Sequence, residues 1–145
     1  MLALGVCAAL MYGGAIHFGL FNDDPTGNLA WLSRRSLLDI FTSASGYGFY
    51  RPAGFAVWKV MYVLFGGNNA TALHAVSIVV HGVNTVGVWL LAYRLMKRSS
   101  PAWAAAIIFA CAPFSYEAVA YVAALFHPLL TFWVLAGLLL YDRGR

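Results

Sequence analysis

Long apolar runs separated by short polar clusters dominate this chain. A membrane helix needs about 20 mostly apolar residues. The first run, 2–21, carries no charge and has His17 near its end. It reads as a span. A signal peptide is the alternative for such a stretch, but no basic residue precedes it. Asn22-Asp23-Asp24-Pro25 follows it in place of a small-x-small cleavage site. The second run, 70–93, is closed by Arg94, Lys97 and Arg98. Ser99-Ser100-Pro101 then makes a short turn, and Pro101 suits the first turn of a new helix. The run 102–112 covers only about half a bilayer at the usual helical rise. It meets Pro113-Phe114-Ser115-Tyr116-Glu117 and resumes as far as Tyr141. Residues 101–141 are too many for one span, even a tilted one. One kinked helix is a possible reading, but two helices, about 101–116 and 118–141, fit better.

Between the first two spans lies the segment 22–69, which is no plain linker. Leu29-Ala30-Trp31-Leu32 and Leu37-Leu38-Asp39-Ile40-Phe41 are short mixed stretches. Within 53–65, apolar residues stand at 55, 57, 58, 61, 62, 64 and 65, with Lys59 among them. That pattern predicts a helix lying in the membrane interface; a fifth, short span is the alternative. The predicted fold class is therefore all-α: a polytopic transmembrane helix bundle of about four spans, with interfacial helices in the first outer loop. Residues 1–145 form one membrane domain in this reading.

Composition agrees with the pattern. Apolar residues make up 62% of the chain and charged residues 10%, against roughly 25% charged in an average soluble domain. Mean hydropathy is +0.76. Such a chain is not disordered, because disorder needs low hydrophobicity and high net charge. Cys7 and Cys111 sit in apolar runs and offer neither a disulfide framework nor metal-ligand spacing. The net charge of +4 comes from scattered residues that form no stripe, so nucleic acid is not the expected partner. Basic residues instead orient the chain. Arg94, Lys97, Arg98, Arg143 and Arg145 fall on one side of a four-span topology, which the positive-inside rule makes cytoplasmic. Arg34, Arg35, Arg51 and Lys59 fall on the other side, against the rule. A long loop weakens the rule there, and a functional need for cations would explain the exception.

Few residues can carry chemistry. Asp23 and Asp24 follow the first span directly. Paired carboxylates there suit a general base or a divalent cation, while Asn-Asp-Asp-Pro-Thr-Gly also reads as a simple turn. Arg51, in Tyr50-Arg51-Pro52, offers a planar fork of donors that fits phosphate oxygens or lipid headgroups. His74, His81 and Asn84 share a face of the second span. Polar groups in a span usually face the bundle interior or a cavity. Interhelical hydrogen bonding accounts for them equally well. Seven residues place the two rings about 10 Å apart along the axis, too far to chelate one metal. Glu117 is the one glutamate, just past the Pro113 break. An ion pair with Arg51 or Arg34 is its plainest use. His127 and Pro128 read as a proline kink within the fourth helix.

The order of these features resembles a known family. The order is Asn22-Asp23-Asp24, Tyr50-Arg51-Pro52, Leu73-His74-Ala75-Val76, His81-Gly82-Val83-Asn84, then Ile108 to Pro113, then Glu117-Ala118-Val119-Ala120. It is similar to the N-terminal part of GT-C-fold integral membrane glycosyltransferases, and most to the membrane region of the TPR-containing protein O-mannosyltransferases and their bacterial relatives. The family's usual His-Pro before the glutamate is Ala112-Pro113 here, and the positions after the glutamate are nearly all apolar. The resemblance implies an enzyme that takes a sugar from a polyprenyl-phosphate carrier at the outer membrane face. It implies Asp23 or Asp24 as catalytic carboxylate. It implies Arg51, Glu117, His74 and His81 as residues for the substrate and its phosphate, with no metal ligand assigned and cofactor need open. Family members have more spans, so this chain is expected to be the N-terminal part of a longer GT-C module. The alternative is a small non-catalytic scaffold subunit packed against a membrane-protein partner.

Overall fold

Helix α5, Ala70–Met96, is the element on which the rest of the bundle packs. It is a computed structural model that describes residues 2–21, 29–44, 48–66, 69–113 and 115–144. Among these residues all regular structure is helical. The other α-helices are α1 Leu2–Tyr12, α2 Leu29–Ser33, α3 Leu37–Thr42, α4 Pro52–Phe65, α6 Ser99–Cys111, α7 Ser115–Ala120 and α8 Phe126–Arg143. Tight 3-10 turns continue α1 (Gly13–His17) and lead into α8 (Val122–Leu125).

Helix α5 starts cleanly because the Asn69 side chain accepts from the Ala72 N–H. It ends where Lys97 takes the left-handed conformation, φ 53°. Its 27 residues rise about 40 Å, more than the hydrocarbon core of a bilayer. Among the described residues two helices are long and apolar enough to cross a membrane: Ala70–Met96 and Val122–Arg143, the latter counting its leading 3-10 turn. The apolar helices Ala3–His17, Pro52–Phe65 and Ser99–Cys111 are shorter.

Contacts fix the directions. Gly5 of α1 meets Gly82, and Phe18 meets His74, so α1 runs antiparallel to α5. A Cβ on Gly82 would lie 3.7 Å from the Gly5 Cα, so the two glycines set this close approach. Helix α6 is also antiparallel, with Ala110 beside His81 and Trp103 beside Trp89. Its fully buried Ala102, Ala106 and Ala110 recur every four residues, the spacing of one helical face. Helix α8 runs parallel to α5: Asn84 meets Pro128, Gly87 meets Leu135, and Arg94 meets Leu139 and Asp142. Arg94, Lys97, Arg98 and Arg143 therefore gather at one end of the bundle, the basic end.

A small helical cap sits at the opposite end. Leu29, Leu32, Ile40, Phe55, Trp58, Leu73, Val122 and Leu125 form one buried core joining α2, α3 and α4 to the bundle. Pro52 occupies the first turn of α4, where its missing N–H leaves no gap. Gly66 ends that helix at φ 78°. Gly54 is required by contact: a Cβ there would run into the Phe126 ring. Val60, Val63, Leu64 and Phe65 remain exposed on α4. The Lys59 ammonium donates to the Leu32 carbonyl at 3.1 Å, at the carbonyl end of α2. Helix α3 opens with a capping box between Ser36 and Asp39. The Ser36 N–H and hydroxyl, with Arg35 adding a little, hold the exposed Asp39 carboxyl below its ordinary pKa.

Three expectations need correction. The helix predicted over 101–116 stops at Cys111, because Pro113 has no N–H to continue it. The helix predicted over 118–141 is three pieces: α7, the 3-10 turn and α8. The break falls at Tyr121, whose backbone is extended at φ −98°, ψ 115°. Pro128 is consequently the third residue of α8. No intrahelical partner awaits an N–H in a first turn, so the proline starts the helix rather than kinking it.

Candidate functional site

The cap end of the bundle gathers most of the described candidate residues. Arg51 stands just before α4, with its guanidinium 4.5 Å from the Phe49 ring centre and 4.9 Å from that of Phe126. Among the described residues the one ion pair is Arg94 with Asp142, so the Arg51 charge faces no carboxylate partner there. Arg51 lines a groove of about 390 Å³ with His127, and the groove continues over Leu129, Leu130 and Trp133. A cation and an imidazole among otherwise apolar lining residues make this groove amphipathic. Gly54, also in its wall, lets the Phe126 ring pack flush against α4.

His127 lines two more cavities on another side. One, of about 160 Å³, is walled by His81, Asn84, Phe109, Ser115, Val119 and Thr131 among others. The second, of about 240 Å³, is bounded by Glu117, Ala118, Ala124 and His127. Ala118 and His127 are common to both, so the two spaces adjoin.

The histidines of α5 part company. His81 is buried between Tyr12, edge-on at 5.0 Å, and Phe109, stacked at 5.1 Å. Its Nε2 lies 3.3 Å from the Ala110 carbonyl, and that contact fixes the nitrogen as a donor. Tyr12 completes the link by donating to the Ala112 carbonyl at 3.2 Å. His74 is fully buried, meets the Phe18 ring edge-on, and lines none of these spaces. Neither of its ring nitrogens has a hydrogen bond of good geometry. Asn84 bridges α5 to α8, its amide donating to the Pro128 carbonyl at 2.7 Å.

Asp23 and Asp24 lie outside the described residues. Phe21, which leads into their segment, stacks on Tyr121 at 5.1 Å. Among the described residues no group of three or more His, Cys, Asp or Glu is placed to hold a metal ion.

Two features escaped sequence reading. His127 is the common wall of the groove and both cavities, yet in sequence it is half of a His-Pro pair in an apolar run. Ser115 and Thr131 line the inner cavity from α7 and α8. Only the fold brings them together, so no local signal announced them.

Fold and site define a class: an all-helical protein with two helices able to cross a membrane, and an amphipathic groove headed by an arginine. No protein family, curated protein or solved structure matches the chain.

Proposed function

We propose that this chain is the membrane part of a GT-C-type glycosyltransferase, which moves a sugar from a polyprenyl-phosphate carrier to an acceptor at the outer face of a membrane. The observation that carries the reading is the groove below Arg51. A lipid phosphate is an anion on an apolar chain, and the groove offers a guanidinium followed by Leu129, Leu130 and Trp133. Arg donors match phosphate oxygens in a bidentate fork. As the glycosyl bond breaks, negative charge gathers on the departing lipid phosphate, and a fixed cation stabilises that change.

In this reading α1, α5, α6 and α8 are the four membrane-crossing elements. The basic end faces the cytoplasm, as basic loop residues favour, and the cap faces outward. Asp23 or Asp24 takes the proton from the acceptor hydroxyl, which is a poor nucleophile until a base is positioned beside it. Transfer from a polyprenyl-phosphate-linked sugar, assayed in membranes containing the chain, tests the proposal. Asp23→Asn with Asp24→Asn is expected to abolish transfer while leaving the membrane level of the protein unchanged. Full transfer by the double variant overturns the catalytic assignment.

A second reading, a scaffold subunit, draws on a different observation. Between α1 and α8 runs an apolar groove of about 490 Å³, floored by α5, with Gly5, Gly82 and Gly87 in its wall. Its other walls, among them Val79, Val83, Leu90 and Leu139, are apolar and suit the apolar face of a partner helix. A scaffold predicts stoichiometric co-purification with a membrane partner and indifference to the two aspartate substitutions.

A further inference from the structure

Cys7 and Cys111 stand far apart in sequence, yet the bundle sets them side by side. Helices α1 and α6 lean on the same turn of α5. Gly5 and Ala8 meet Gly82, while Phe109 and Ala110 meet His81. Cys7 precedes Ala8 and Cys111 follows Ala110, so both thiols lie at that level of the bundle. Tyr12 fixes the pairing of the two helices by donating to the Ala112 carbonyl. The two thiols are close enough for one to hydrogen-bond the other. Both cysteines are free and half-buried, neither sealed in the core nor fully open. Cys111 is the last residue of α6, and Ala112 beyond it is extended, so a small shift there does not propagate along a helix. A metal ion is a poor occupant. Among the described residues no group of three His, Cys, Asp or Glu is placed to hold one. A soft monovalent ion on two thiolates alone would leave a net negative charge among apolar side chains. A disulfide suits the place better, because it is uncharged and removes two polar S–H groups. Sulfurs already in contact need only close to about 2.05 Å.

We propose that Cys7 and Cys111 form a redox modification site, a dithiol that a peroxide closes into a disulfide tying α1 to α6. One thiol sulfur attacks the peroxide, and the O–O bond breaks. That sulfur keeps one oxygen as a sulfenic acid; the other oxygen leaves with the thiol hydrogen, as water or an alcohol. The second thiol then attacks the oxidised sulfur. The S–S bond forms, and the sulfenic hydroxyl leaves with the second thiol hydrogen as water. The dithiol loses two electrons and the peroxide gains them. Contact between the sulfurs makes the second step intramolecular, so it outruns further oxidation of the sulfenic acid. Hydrogen peroxide and lipid hydroperoxides share the reacting O–O bond, and both are uncharged at a half-buried apolar surface. The link closes beside the Tyr12–Ala112 contact and fastens α1 to α6 where α6 ends.

The test treats the whole chain in lipid nanodiscs with hydrogen peroxide and, in parallel, with a phospholipid hydroperoxide. Thiols are then counted with N-ethylmaleimide, and peptides are mapped without reduction. The chain is expected to lose both thiols together, to yield a peptide pair linked between Cys7 and Cys111, and to regain both thiols with dithiothreitol. The faster of the two oxidants identifies the source, aqueous or lipid-borne. Cys7→Ser with Ala9→Cys keeps two thiols but moves one to a different face of α1, where Ala9 lines the groove toward α8. Its internal disulfide should form about tenfold more slowly, or not at all. Cys7→Ser and Cys111→Ser alone should leave a sulfenic acid that dimedone traps in at least one of them. Thiols that stay free, separate oxidation of the two cysteines without a link, or a relocated pair that closes as fast as the native one overturns the proposal. So does the absence of any trapped sulfenic acid in both single variants.

Discussion

The stretch of α5 up to Thr85 and the stretch beyond it are built on opposite plans. Among the described residues, every buried polar side chain lies on this helix between positions 74 and 85: His74, Ser77, His81, Asn84 and Thr85. Ser77 and Thr85 are satisfied within the helix, donating to the carbonyls of Leu73 and His81. His81 and Asn84 instead reach across to α6 and α8. Beyond Thr85 the helix packs through Gly87 and Ala92. It ends in a polar clamp, Arg94 donating to the Leu139 carbonyl at 2.9 Å and lying 3.4 Å from Asp142. The contrast teaches where this bundle tolerates cost. Buried polar groups weaken packing and demand partners, and they are concentrated at the end that also holds the cavities and the cap. The basic end has no such burden and serves to hold α5 and α8 in register.

Perturbing each half separately sharpens the comparison. The largest effect is expected at the cap. Trp58 is fully buried in the core that joins α2, α3 and α4 to the bundle. Trp58→Ala should lower stability by about 3–5 kcal/mol, read by denaturant titration in detergent micelles. It should also disorder the Arg51 groove, whereas the α5–α6 contact should persist. Ala106→Leu probes that contact directly, since Ala106 has no room beside it. The expected loss is about 1–3 kcal/mol, measured the same way. Arg94→Ala tests the basic end. Its partner Asp142 is more than a third exposed, so solvent screening keeps the loss near or below about 1 kcal/mol. The thermal midpoint should move little and carrier binding not at all.

The smallest effect is a pH dependence local to α3. The Asp39 carboxyl is held below its ordinary pKa by Ser36. A depressed carboxylate contributes stability above the unfolded-state pKa, and that contribution disappears as pH falls through the folded-state pKa. Protease nicking within 36–44 should therefore rise only in acid, below the ordinary aspartate range. Ser36→Ala should abolish that acid dependence and raise nicking at neutral pH, because the cap is lost.

Much of this architecture is legible in local pattern. The uncharged run ending at Arg94 announces α5, and Tyr50-Arg51-Pro52 announces the start of α4, whereas the helix read through Pro113 to 116 in fact ends at Cys111. The break at Tyr121 is not legible, because 118–126 is apolar throughout and holds neither Gly nor Pro. Tertiary contacts made by Val122 and Leu125 with the cap core impose it. The cap itself shows only as short mixed stretches, since Leu29, Leu32 and Ile40 become a core only when Phe55 and Trp58 cover them. The site divides the same way. Arg51, Glu117 and His81 stand out as rare polar residues in apolar surroundings. His127 does not, because its role comes from three spaces meeting at one side chain.

The most direct test of the account is photo-crosslinking with a polyprenyl phosphate that carries a diazirine beside the phosphate, followed by peptide mapping. The account predicts adducts on residues 51–54 and 126–133, the two walls of the groove. It also predicts their loss in Arg51→Gln. Adducts confined to the basic end, around 94–98 and 143, would contradict it.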